Sequence, residues 1–141
     1  MIWTSIRANL NRRPLWMNGL FLFCAYMTFV YVPWDMLSKP LAQAEEVWFG
    51  ILLSGWQAKI TEPLHLAIYG AGFWGFLKMK SWMHPWAALY AAQIAVGMLV
   101  WNLWNMAGYG ITGGLLTALP FAAITIALWR SRHHFQRRLP G

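Results

Sequence analysis

Acidic side chains are scarce in this chain. Asp35, Glu45, Glu46 and Glu62 are the whole set in 141 residues, against eleven Lys and Arg. Charged residues of both signs make up 11%, where soluble domains carry about 25%. Cysteine is nearly missing as well. Cys24 stands alone, which excludes a disulfide framework and a cysteine-based metal site. There is no phosphate-binding Gly-x-x-x-x-Gly-Lys loop, no Gly-x-Ser-x-Gly, no His-Glu-x-x-His and no Cys-x-x-Cys. Enzymatic chemistry of the soluble type therefore has no support in the motifs.

What the chain has instead is apolar surface. Hydrophobic residues make up 59%, with eleven Trp, eight Phe and five Tyr. A soluble fold of this length could not bury so much, so lipid must be the solvent for much of it. The net charge of +7 suggests nucleic acid at first. The bases flank apolar runs and do not line a soluble face, which argues against that and for anionic headgroups.

The expected fold is all-α: a polytopic bundle of four transmembrane helices in a single domain, residues 1–141. The helices are expected at about 14–35, 63–81, 85–107 and 111–130. Pro14 and Pro63 suit first helical turns, where a missing N–H costs nothing. The first apolar run is too long for a removable signal and lacks a small-x-small cleavage site, so it reads as a retained helix. The second is short in uncharged residues, and Lys78 and Lys80 can extend it by snorkelling. No charge occurs from Pro85 to Trp129. The glycines between Gly108 and Gly114 split that stretch in two, and Pro120 predicts a kink. Residues 44–58 are apolar but too short to span, and are expected as an amphipathic helix lying in the interface. Residues 130–141 read as a basic tail.

With the helices placed, the charges sort. All four acids fall on one side, joined only by Lys39 and Lys59. Arg7, Arg12, Arg13, Lys78, Lys80, Arg130, Arg132, Arg137 and Arg138 fall on the other. Loops rich in Lys and Arg stay cytoplasmic, so both termini are expected inside, in a bacterial inner membrane. Trp34, Trp48, Trp56 and Trp104 then mark the outer boundary, and Trp16, Trp82, Trp86 and Trp129 the inner one. These aromatic belts were not used to place the helices and agree with them.

Polar groups at membrane depth are the first functional suspects. Here Asp35, Glu62, His65, Asn102, Asn105 and Tyr109 collect near the outer face. Glu62 and His65 are three apart and share a helix face, which Tyr69 extends inward. Glu-x-x-His is half of a di-iron ligand set, but the chain offers one such pair, so no di-iron centre is expected. His65 and His84 are separated by 19 residues, about 28 Å of helix, so one chain cannot bring both to a haem. No metal and no cofactor is expected. Glu62, His65 and Asp35 remain the catalytic candidates, as an acid–base pair with a third carboxylate. The plainer reading has Glu62 complementing the helix dipole while His65 bonds across to Asn102 or Asn105. Tyr69, Trp101, Asn102, Trp104 and Asn105 are the ligand-binding candidates. Gln93, in mid-span, needs a partner such as Tyr26, Thr28 or Thr117. Gly70, Gly72, Gly75 and Gly97 serve close helix packing or docking to another subunit.

In architecture, and in the residue types Asp35, Glu62 and Trp101, the chain is similar in outline to the emopamil-binding-like sterol isomerases and their ligand-binding relatives. That similarity implies a small helical membrane protein with acids and aromatics around an intramembrane cavity. It extends to no identifiable motif.

Two functions follow as expectations. The first is a small non-catalytic accessory or assembly subunit of a membrane complex, with a membrane protein or a second copy as partner. The alternative is a membrane enzyme or binder for a small apolar or lipid-like molecule. It would use an outer-leaflet pocket with Asp35, Glu62 and His65.

Overall fold

The computed structural model describes residues 1–136. Arg137 and Arg138, and the rest of the expected tail beyond them, lie outside the described residues. The chain is mostly helical. Helix α1 (Ile2–Leu10) precedes α2 (Leu15–Ser38). A β-hairpin follows, β1 (Glu45–Trp48) and β2 (Ile51–Ser54). Then come α3 (Trp56–Lys78), α4 (Met83–Trp104), α5 (Gly110–Arg130) and the short α6 (Arg132–Phe135). Three helices are long and apolar enough to cross a membrane: α2, α4 and α5.

Helix α2 contains a π turn, Met27–Tyr31. Pro33 supplies the reason. It lacks an N–H and its ring crowds the carbonyl four residues back, so the hydrogen-bond ladder must adjust just before it. The second expected helix starts earlier than Pro63, at Trp56, and runs through the proline.

The interfacial helix expected over residues 44–58 is corrected. Glu45 to Trp48 pair antiparallel with Ile51 to Ser54, with Trp48 opposite Ile51. Phe49 (φ 52°) and Gly50 (φ 82°) form the two-residue turn. Positive φ at both central positions is what a type I′ hairpin needs. Gly50 does more than interrupt an apolar run. A Cβ on it would lie 2.5 Å from Val100 Cβ and 2.6 Å from the Gly97 carbonyl oxygen. The hairpin turn thus docks directly on α4, and Gly97 is small because Gly50 sits against it.

The described part of the expected tail packs back on the helices. Phe135 is buried and packs on Phe76, with ring centroids 6.2 Å apart. It joins Met17, Phe21, Met83, Ala88, Ala91 and Leu128 in the hydrophobic core. Arg13 does not face headgroups either; it is buried. Its Nη1 donates to the Phe76 carbonyl, Nε to Asn18 Oδ1 (2.8 Å) and Nη2 to Asn9 Oδ1 (2.8 Å). A guanidinium against the last carbonyls of α3 complements the helix dipole. Burial lowers its pKa, and neighbouring Arg12 lowers it further.

The helices pack as two antiparallel pairs. Helices α4 and α5 contact along their length. Helices α2 and α3 interlock through Phe21, Phe29 and Phe73, with Gly70 against Thr28 and Gly72 against Cys24. Between the pairs, the α3–α4 contact is slight. The hairpin turn joins them at one end, and Met83 against Gly75 joins them at the other. A cleft remains between.

Candidate functional site

The polar cluster is built from three elements. The end of α2 supplies Asp35, β1 supplies Glu46, and α3 supplies Lys59, Glu62 and His65. In a strand alternate residues share a face, which puts Glu46 on the same side as Trp48. Carboxylate oxygens of Asp35, Glu46 and Glu62 all lie within 4.8 Å of one another. Asp35 is 4% exposed and Glu62 2%.

Each carboxylate has a basic partner. Lys39 Nζ lies 2.6 Å from Asp35 Oδ1, and Lys59 Nζ 3.1 Å from Glu62 Oε2. His65 Nδ1 lies 2.5 Å from Glu46 Oε2. Lys59 also donates to the Met36 carbonyl at 3.1 Å, tying α3 to α2. The Asp35 hydrogen bond raises the Lys39 pKa, and burial opposes it without reversing the direction. Glu62 Oε1 is buried without a hydrogen-bond partner among the described residues. The three carboxylates could form an oxygen-donor set for a cation. Two lysine ammonium groups already sit against two of them, so a metal ion would have to displace both.

The ring of His65 stacks on Trp48, with centroids 4.1 Å apart and planes 8° from parallel. On its other flank, Tyr69 lies 6.1 Å away. Trp48 and Tyr69 also line the cleft between the helix pairs, a cavity of about 820 Å³. The cavity runs from Trp48 and Phe49 at the acidic end to Trp82 and Leu128 at the basic end. Among the described residues, no charged side chain lines it. Polar groups on its lining residues include the Tyr69 and Tyr90 hydroxyls, 3.5 Å apart, Gln93, the Cys24 thiol and the indole N–H of Trp48, which is buried without a partner among the described residues.

Of the expected site residues, Asp35, Glu62 and His65 come together, while Tyr69 bridges the cluster and the cavity. His65 pairs with Glu46, not with Asn102 or Asn105. Trp101, Asn102, Trp104 and Asn105 do not line the cavity. Asn102 pins the α4–α5 turn: its Nδ2 donates to the Met98 carbonyl (2.8 Å) and Thr117 Oγ1 (3.2 Å), and its Oδ1 accepts from the Tyr109 N–H (3.1 Å). Asn105 Oδ1 accepts from the Ala107 N–H at 2.9 Å within the same turn. Trp104 is exposed. Thr28 and Thr117 bond to carbonyls of their own helices, so neither satisfies Gln93. Sequence reasoning missed Glu46 and Tyr90, and it expected an outer-leaflet pocket with Trp101 and Trp104 where the cavity instead runs between the helix pairs. No alternation marks the strand that carries Glu46, because Glu45 and Glu46 are followed by the apolar run Val47-Trp48-Phe49.

Comparisons with protein-family models, with curated proteins and with solved structures find no match for this chain.

Proposed function

We propose that the chain is a bacterial inner-membrane protein of four spans that binds a lipid-like molecule in the cleft between its two helix pairs. Helix α3 is the fourth span. Its 23 residues reach about 35 Å at about 1.5 Å each, and its polar first turns lie in the acidic cluster. The termini are cytoplasmic, with Arg7, Arg12, Lys78, Lys80 and Arg130 facing anionic headgroups.

One observation carries the reading: an uncharged cavity of about 820 Å³ opens between α2–α3 and α4–α5. Ligand sites of about 300–1,000 Å³ with mostly apolar walls are typical of small-molecule pockets. The charge cluster adjoins the wall through His65, which stacks on Trp48, and none of its charged residues lines the cavity. This favours binding over catalysis by Glu62 or His65. The accessory-subunit alternative drew on glycines as a docking stripe. Gly70, Gly72 and Gly75 face Thr28, Cys24 and Met83 of the same chain, which leaves that alternative less support.

Native mass spectrometry of the protein, extracted from its own membrane in mild detergent, tests the proposal. A lone chain carrying a reproducible lipid-sized mass is expected, and Ala87→Phe in the cavity wall should remove it. A second protein at fixed stoichiometry, with no such mass, would overturn the reading in favour of a subunit.

A further inference from the structure

We infer that the cavity takes an uncharged lipid with a hydroxyl or carbonyl oxygen, held by Tyr69, Tyr90 and Gln93. This rests on the lipid-binding reading of the cleft. Tyr90 and Gln93 are three apart on α4 and share a face. Tyr69 approaches from α3, and the two tyrosine rings meet edge to face at 6.0 Å. Three neutral polar side chains thus line one mostly apolar cavity.

Their hydrogen bonds are incomplete. Tyr90 donates to the Tyr69 hydroxyl over a long 3.5 Å. Among the described residues, the Tyr69 proton then has no acceptor and the half-buried Gln93 amide has no partner. Polar groups left unpaired in an apolar medium are costly. Tyr69 offers a donor and Gln93 offers both donor and acceptor, so a ligand oxygen satisfies both. A hydroxyl meets the full set, and a carbonyl meets the donors. A cationic or anionic group would enter the same cavity without a counter-charge, since Lys39, Lys59 and the three carboxylates are not among its lining residues. The charge therefore selects against amines and acids, and the three side chains select for oxygen.

The test uses the purified full-length chain in nanodiscs. Trp48, Trp82 and Trp86 line the cavity, so brominated ligands there quench tryptophan fluorescence. The probes are a brominated long-chain alcohol, the alkane, amine and fatty acid of the same length, and a brominated phosphatidylcholine. The alcohol should bind about tenfold more tightly than the alkane, the effect of one to two net hydrogen bonds. Tyr69→Phe combined with Gln93→Leu should erase that preference and leave alkane binding intact. If the pair fails to fold, Tyr69→Phe alone should reduce it. Equal affinity for alcohol and alkane would overturn the inference and leave the cavity reading standing. Quenching by the amine, the acid or the phospholipid as strong as by the alcohol would also overturn it. Quenching by no probe beyond the level of Ala87→Phe would overturn the cavity reading itself.

Discussion

Trp48 lies flat on His65, centroids 4.1 Å apart, and the same imidazole holds Glu46 at 2.5 Å. One side chain therefore fixes the hairpin to α3 twice, through a ring face and through Nδ1. The two contributions can be separated. His65→Phe keeps a ring for Trp48 and leaves Glu46 without its partner. His65→Ala removes both. The phenylalanine variant should lose about 1–3 kcal/mol from the stranded polar partner. The alanine variant should lose a further 0.5–1.5 kcal/mol, roughly, from the stacked pair. Thermal unfolding in detergent measures both; equal losses would show that the stack contributes nothing.

The Lys59–Glu62 pair is the most buried ion pair described, with side chains 18% and 2% exposed. Removing one member leaves the other's charge uncompensated, at a cost of about 3–5 kcal/mol. Partial exposure of Lys59 lowers that cost toward about 2–3 kcal/mol for Glu62→Ala. Lys59→Met with Glu62→Gln should unfold at a higher temperature than the sum of the single losses predicts. A double-mutant cycle with purely additive losses would refute the pairing as the source of stability.

The Asp35–Lys39 pair sets a pH expectation. Its hydrogen bond raises the Lys39 pKa above the ordinary lysine value. Protonation of Lys39 is then favoured in the folded state. The stabilisation is fully present below the ordinary value, about 10.4, and is lost as pH rises through the higher folded value. The pair should thus give no slope across the neutral range. Melting of the wild type should fall more steeply than that of Lys39→Met in strongly alkaline buffer. Parallel curves for the two proteins there would contradict the assignment.

Legibility varied with the physical source of each feature. Apolar run length made α2, α4 and α5 readable, because a span needs many consecutive apolar residues and little else does. The association of Asp35, Glu62 and His65 was readable from chain direction, which puts helix ends in one leaflet. The hairpin was not, because Val47 to Leu53 is a short apolar run that fits strand or interfacial helix equally. Its strand character comes from the turn at Phe49 and Gly50 and from docking on α4, a contact between residues far apart in the chain. Arg13 shows the same limit. A base before a span reads as topology, and only the fold brings the Phe76 carbonyl to it. The cavity is a gap between helix pairs, which no local pattern records.

Gly50 should be the least replaceable glycine of the hairpin. Its φ of 82° lies in the left-handed region, and an added Cβ would stand 2.5 Å from Val100 Cβ and 2.8 Å from the Trp101 nitrogen. Gly55 also has a positive φ, of 60°, but open space around it. The comparison separates backbone strain from collision. Gly55→Ala should cost about 1–3 kcal/mol, backbone strain alone, since φ 60° with ψ −129° is a conformation that favours glycine. Gly50→Ala should cost more, because overpacking of a tight contact adds about 1–3 kcal/mol to the strain of its own positive φ. Because Phe49 and Trp48 line the cavity, undocking this turn should also weaken ligand retention, whereas Gly55→Ala should spare it. Melting temperatures and the ligand mass retained in native spectra measure the two effects together. Equal losses in both variants would show that the hairpin turn is not what joins the helix pairs at the acidic end.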